Sequence, residues 1–250
     1  MNSITRPSLE PQISSSLYFR WGFPADTPEN FEEVRFPLAF HEAPDEKGFY
    51  FSWQFYFLPN STPAYTGFLP KKYDLGGDLP KDKIYSQFAF STFSGLARHD
   101  DPDFCQYGAD GGPGVSCSSR SLIKKDTFYS CRVTTLLTGN IYYYTGTLWN
   151  DEEDKEIVHI GTWSLPNNGT SGPIHKGYVG FIEPYSPVNA KTQTLVASFG
   201  RPVGVDYTTG RKFIGNAIEP SPVSDEAYVK YSWEVNDDGI VKVKAEPNNL

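Results

Sequence analysis

The stretch Phe49-Tyr50-Phe51-Ser52-Trp53-Gln54-Phe55-Tyr56-Phe57 alternates two kinds of residue with a period of two. Successive side chains on a strand point to opposite faces. Phe49, Phe51, Trp53, Phe55 and Phe57 therefore share one side, dry apart from an indole N–H. Tyr50, Ser52, Gln54 and Tyr56 share the other side, where every member can hydrogen-bond. The pattern recurs over 84–93, where Ile84, Ser86, Phe88 and Phe90 oppose Tyr85, Gln87, Ala89 and Ser91. It recurs over 127–137, where Tyr129, Cys131 and Val133 oppose Ser130, Arg132 and Thr134, and over 157–165, where Val158 and Ile160 oppose His159. Further strands are predicted at 17–23, 33–40, 64–69, 141–149, 177–183, 193–199, 228–235 and 240–245. Gly139-Asn140 reads as a hairpin turn. Pro37 interrupts the ladder of 33–40 and argues for a sheet edge.

Between these runs, 1–16 reads as a surface tail, 94–124 as a long irregular loop able to serve as a lid, and 204–226 as turn-rich chain. No helical period persists beyond a turn or two, and no internal repeat is visible. About eleven to thirteen short strands without helices imply an all-β fold in one domain over 1–250. The expected architecture is a two-sheet β-sandwich or jelly roll, concanavalin-like.

Composition narrows the function. The 250 residues include 16 Tyr, 18 Phe and 5 Trp, so aromatic walls are plentiful, and the formal net charge is −8. The dense basic spots are Lys71-Lys72 and Lys124-Lys125, too few for a nucleic-acid groove. No apolar run approaches the ~20 residues that span a bilayer. The N-terminus lacks a charged-then-apolar signal pattern, so the chain is expected to be cytosolic or a secreted protein that has lost its signal. The sequons at Asn60 and Asn168 suit secretion. Of three cysteines, Cys105 and Cys117 flank a Gly-rich stretch where a local bridge and free thiols are both open, and Cys131 reads as a small buried hydrophobe.

No phosphate loop, dinucleotide fingerprint, metal-spaced histidine pair or nucleophile elbow is present, so no cofactor and no metal are expected. The candidate site is instead the hydrogen-bonding face. If Tyr50, Ser52 and Gln54 point away from the core, the same side of neighbouring strands is expected to carry Gln87, Arg132, His159, Trp163 and Tyr178. Arg132 is the least readily explained by packing, because a charge in mid-strand must be paired or offered to a ligand. Asp110 and Glu183 are the carboxylates on which a glycosidase-like pair could be built.

The order of Phe51-Ser52-Trp53-Gln54-Phe55, Ala64-Tyr65-Thr66-Gly67, Phe88-Ala89-Phe90-Ser91, the 108–114 loop, 142–150 and Gly177-Tyr178-Val179-Gly180-Phe181 resembles a family of lectin-like β-sandwich proteins of bacteria and fungi. That resemblance spans roughly 48–203, rests on aromatics and glycines, and implies a fold. By class, an acidic, aromatic-rich sandwich is similar to the cofactor-free cyclases of fungal natural-product clusters, including the hetero-Diels–Alderases that join tropolone quinone methides to sesquiterpenes. This implies a cofactor-independent cyclase acting on a largely apolar small molecule. Its acid would be His159 or Asp110, its carbonyl donors Arg132 and Gln54, and its walls Tyr50, Ser52, Tyr65, Trp149, Trp163 and Tyr178. The alternatives are a lectin-like module that binds glycans on those rings, and a glycan hydrolase or lyase. An oligomer is compatible with any of the three.

Overall fold

The computed structural model describes residues 12–14, 16–57, 62–71, 80–169, 171–186, 190–223 and 229–248. In chain order the strands are β1 (Gln12–Ser14), β2 (Ser16–Gly22), β3 (Asn30–Phe31), β4 (Glu33–Glu42), β5 (Tyr50–Phe55), β6 (Ala64–Lys71) and β7 (Lys83–Thr92). Next come β8 (Arg98–His99), β9 (Cys105–Ala109), β10 (Gly112–Lys124), β11 (Tyr129–Thr138), β12 (Ile141–Asn150), β13 (Lys155–Pro166) and β14 (Ile174–His175). The last are β15 (Tyr178–Glu183), β16 (Leu195–Phe199), β17 (Val203–Asp206), β18 (Arg211–Ile214), β19 (Asn216–Val223), β20 (Val229–Val235) and β21 (Val241–Pro247). The fold is all-β, with antiparallel sheets packed as a sandwich. An eight-stranded sheet runs β19-β2-β15-β5-β6-β7-β10-β9, and an eleven-stranded sheet has the spine β1-β20-β21-β16-β4-β11-β12-β13-β8, with β17 and β18 attached beside β4.

The dry set predicted for β5 joins the two layers. Phe49, Phe51, Trp53, Phe55 and Phe57 are all enclosed. Trp53 stacks on Phe36 of β4 at 5.5 Å, Phe51 meets Phe40 edge-on at 4.9 Å, and Trp53 meets Phe199 of β16 at 5.1 Å. Each fully buried aromatic is worth roughly 1.5–3 kcal/mol of transfer free energy, and each well-placed pair adds about 0.5–1.5. This seam holds the register. A one-residue slip of β5 would turn five large rings into solvent.

Four expectations are corrected. The strand containing Pro37 is central rather than an edge: β11 lies on one side of β4, while on the other Val34 and Arg35 pair with β17 and residues 38–42 face β16. Pro37 sits where the partner changes, so its missing N–H costs no ladder bond on that side, and its carbonyl accepts the Gly200 N–H at 2.9 Å. A Cβ at Gly200 would lie 2.7 Å from the Pro37 Cβ, so the crossing needs glycine.

The 94–124 stretch is largely strand rather than lid. Asp110 and Gly111 (φ 46° and 77°) form a two-residue turn between β9 and β10, the Asp-Gly pairing that suits hairpin twist. Cys105 and Cys117 lie opposite each other across that hairpin and are joined by a disulfide, while Cys131 is a buried free thiol. Part of the N-terminal tail is also structured, since β1 pairs with β20; residues 1–11 lie outside the described residues. The turn-rich 204–226 stretch contributes most of β17 and all of β18 and β19.

Candidate functional site

The hydrogen-bonding side of the eight-stranded sheet forms the floor of a cleft of about 870 Å³. Tyr50 and Gln54 come from β5, Tyr65 and Leu69 from β6, Gln87 and Ala89 from β7, and Phe181 and Glu183 from β15. One wall is the segment Pro102–Gln106, and the β9–β10 turn adds Asp110. The period-two alternation puts these residues together: each stands one position from a core residue such as Phe51, Phe68, Phe88 or Ile182.

The electrostatics centre on two carboxylates. Asp110, held in the left-handed region by the turn, accepts the Tyr65 hydroxyl at 3.0 Å. Glu183 stands directly across the ladder from Tyr50. Desolvation first, and then the negative charge of Asp110, push the Glu183 carboxyl above its ordinary range. Among the described residues Lys47 is a cation beside the lining, its ammonium donating to Gln87 at 2.6 Å, on β7 rather than on β15. Burial, then Glu183, likewise raises the Tyr18 hydroxyl. Tyr50 packs edge-on against Tyr65 and Phe181, both at 6.0 Å, with its own hydroxyl enclosed. Gln54 donates to the Tyr56 hydroxyl. The arrangement offers an acid biased toward its protonated form, a second carboxylate fixed by a phenol, and an amide, all around one cleft.

The expected site residues divide. Gln54, Asp110, Tyr50 and Tyr65 line the cleft, and Gln87 joins them. Ser52 shares their face but is fully covered, with its hydroxyl bonded to the Thr66 carbonyl at 3.0 Å. Arg132 and Trp149 do not share that face. They belong to the eleven-stranded sheet, where Arg132 donates to Glu33 at 2.6 Å and stacks over Trp149 at 4.8 Å. Trp163 and Tyr178 point into the interlayer core: Trp163 stacks on Phe90 at 5.0 Å, and Tyr178 meets Phe36 edge-on at 5.2 Å. On β15 the inward set is Tyr178, Gly180 and Ile182, so residues of odd number face the cleft. His159 stands behind the cleft wall, bonded to Asp101 at 2.5 Å and edge-on to Phe104 at 5.1 Å, where it braces the 102–106 segment.

Sequence reasoning missed Tyr18, Phe181, Phe104 and Tyr185. The pairing of Phe181 with Tyr18 is a long-range register that no local pattern encodes. For Asp110 a signal did exist, in the Asp-Gly pair between two alternating runs. Among the described residues no group of three or more His, Cys, Asp or Glu side chains is placed to hold a metal ion, and no helix is long and apolar enough to cross a membrane.

No family model and no curated protein matches the chain. Among solved structures it is similar to scytalido-glutamic peptidase with a transition-state analogue inhibitor, at TM-score 0.44 and 10% identity over 95% of this chain and 100% of that one. It is also similar to SCP-B, a member of the eqolisin family of peptidases in complex with the tripeptide Ala-Ile-His, at TM-score 0.42 and 11% identity over the same shares. Likeness at this level assigns neither a family nor an activity.

Proposed function

We propose that the cleft is the active site of a cofactor-independent acid–base catalyst with Glu183 as the acid. The observation that carries this reading is the placement of Glu183, with its raised pKa, in one cleft with Asp110. The favoured reaction is cyclisation of a small oxygen-bearing substrate through a quinone methide. Glu183 protonates the leaving hydroxyl of a hydroxybenzyl alcohol, and the C–O bond breaks with its electron pair leaving as water. The Asp110 carboxylate takes the phenolic proton, which leaves a neutral quinone methide. An alkene held against Tyr50, Phe181 and Phe93 then adds across it, assisted by orientation. Gln54, whose amide carries a second N–H beside the one it gives Tyr56, would donate to the carbonyl oxygen. This assignment moves the acid and donor roles from His159 and Arg132 to residues that line the cleft.

A second reading, glycoside cleavage, is favoured by one specific feature: Glu183 and Asp110, together with Asp103, border the same cavity. The two readings separate in one experiment. Wild-type protein and Glu183→Gln are incubated with an ortho-hydroxybenzyl alcohol plus an electron-rich alkene, and in parallel with aryl glycosides, with products followed by mass spectrometry. Cycloadduct formed by wild type and reduced at least about 100-fold in a normally folded Glu183→Gln supports cyclisation. Glu183-dependent release of aryl alcohol selects glycoside cleavage instead. Activity on either class that survives Glu183→Gln, or no turnover of either, overturns the assignment of the acid.

A further inference from the structure

We propose that Ser198, His41 and Asp126, on the outward face of the eleven-stranded sheet, form a second site: a serine nucleophile with its general base, able to take an acyl group from an ester. Ser198 lies on β16 between Ala197 and Phe199, which fill the core, so its side chain belongs to the outward face, where its neighbours cover it to 5% exposure. The ladder pairs Ser198 with Ala39 of β4, and His41 is two residues further along that strand on the same face. They are thus diagonal cross-strand neighbours. His41 Nε2 lies 2.7 Å from Ser198 Oγ, and His41 Nδ1 lies 2.6 Å from Asp126 Oδ1.

The protons follow from the chemistry of the partners. A carboxylate only accepts, so in the neutral imidazole the proton sits on Nδ1, and the Nε2 lone pair is left to accept the Ser198 O–H. That polarity is what a serine nucleophile requires, and the roles rather than the chain order define such a triad. Asp126 is brought to the imidazole by a strained turn. Its φ is +59°, in the left-handed region, and its N–H donates to the Phe40 carbonyl at 2.9 Å, one residue before His41.

Two further features complete the site. Lys242 of β21 stands opposite Ser198 across the ladder, among outward-facing residues, and supplies a positive charge for a developing oxyanion. Its pairing with Glu234, at 3.8 Å, is loose and exposed. A second cleft, of about 510 Å³ and bordered by Lys124, Lys125, Asp126 and Thr127, opens on the Asp126 side of the triad.

The step balances as follows. Ser198 Oγ attacks the ester carbonyl carbon as its proton passes to His41 Nε2, giving a tetrahedral oxyanion. That oxyanion collapses by breaking the ester C–O bond, and the departing alkoxide takes the proton from Nε2. Water then repeats the sequence on the acyl-serine, releasing the acid and restoring the hydroxyl.

The test uses the full chain and an alkyl fluorophosphonate probe, with the adduct located by peptide mass spectrometry and p-nitrophenyl acetate hydrolysis followed in parallel. The expected result is one adduct, on Ser198, absent from Ser198→Ala and slowed at least 50-fold in His41→Gln. Asp126→Asn, a change at an exposed turn, keeps the test valid where His41→Gln does not fold, and it is expected to slow labelling at least 10-fold. Glu183→Gln is expected to label like wild type, which makes this outcome independent of the larger cleft. No adduct on Ser198 in folded protein, or labelling at equal rates in wild type and Asp126→Asn, would overturn the proposal and leave the three residues as a hydrogen-bonded clasp between β4, β16 and the β10–β11 turn.

Discussion

Two carboxylates on the two outward faces of this sandwich have opposite fates. Glu33, on the eleven-stranded sheet, is almost wholly enclosed, and burial alone would raise its pKa. Hydrogen bonds from Arg132 at 2.6 Å, Tyr207 at 2.6 Å and Arg35 at 2.7 Å outweigh that penalty and bring it down to about 2. Glu183, on the eight-stranded sheet, is more open yet shifts upward, because desolvation raises it first, the charge of Asp110 adds to that, and no hydrogen bond or ion pair lowers it as in Glu33. The difference separates structure from chemistry. A carboxylate whose charge is fully met is fixed in one protonation state over the working range of pH. One left partly unmet keeps a proton it can give away.

The comparison is broken most severely at Glu33. Glu33→Ala leaves the partly buried Arg35 and Arg132 guanidiniums without their shared acceptor, and removing one partner of a buried ion pair costs roughly 3–5 kcal/mol. Urea denaturation is expected to show that loss, while catalysis per folded molecule in the cleft, on the other side of the sandwich, stays unchanged. A parallel loss of activity would mean that the two faces are coupled.

Acid titration probes the same group without mutation. The folded pKa of Glu33 lies below its unfolded value, so its contribution is fully present above pH 4.5 and is lost as pH falls from there toward about 2. Roughly 2–3 kcal/mol of stability at neutral pH is at stake, after discounting for the solvent-exposed parts of the arginines. A Glu33→Gln variant should be less stable at pH 7 and should lose less on going to pH 2.5, as followed by denaturant midpoints at each pH.

Glu183 should behave in the reverse sense. Its folded pKa is raised, so the folded state holds a proton that the unfolded chain has released, and stability declines as pH rises between the two values. Glu183→Gln removes that decline and is expected to be neutral or mildly stabilising at pH 7, yet to lower turnover about 100-fold, near 2.7 kcal/mol of barrier. A variant that instead lost stability at pH 7 would mark Glu183 as a structural anchor like Glu33.

Why the sequence was readable up to a point follows from these same residues. The split of β5 into a greasy and a polar side depends only on local alternation, so the sandwich, its seam and the exposure of Gln54 were legible. Arg132 was not assignable, because its role depends on Glu33, ninety-nine positions away, becoming a cross-strand neighbour in the same sheet. Tyr178 was misplaced for a smaller reason: the phase of alternation on β15 relative to β5 is set by the register Glu183↔Tyr50, and a single-residue offset exchanges the faces. Trp163 and His159 were both read onto the cleft side, yet β13 belongs to the eleven-stranded sheet and sends Trp163 into the core. The disulfide left open between Cys105 and Cys117 was decided by the hairpin, which sets the two directly opposite each other, and a Cβ at Gly161 would fall 2.5 Å from the Cys117 Cβ.

The finest distinction between the faces lies in how each carboxylate is held. Three donors hold Glu33, whereas Asp110 accepts the Tyr65 hydroxyl at 3.0 Å, one donor among the described residues, within a turn already fixed by its backbone. Tyr65→Phe keeps the ring that packs on Tyr50 and Phe93 at 6.0 and 5.2 Å and deletes the hydroxyl, with its bond to Asp110 and its contact with Ser91. A single hydrogen bond to a charged group is worth about 1.5–3 kcal/mol where it is buried and less where the acceptor is open to solvent, as Asp110 is. Stability should therefore move by about 1 kcal/mol or less. The larger consequence is electrostatic: without the phenol, Asp110 carries its charge less evenly dispersed and presses harder on Glu183, whose proton should be held to still higher pH. The alkaline limb of the rate profile is thus expected to move upward in Tyr65→Phe with KM little changed. A limb that stays in place would show that Asp110 and Glu183 do not sense one another across the cleft.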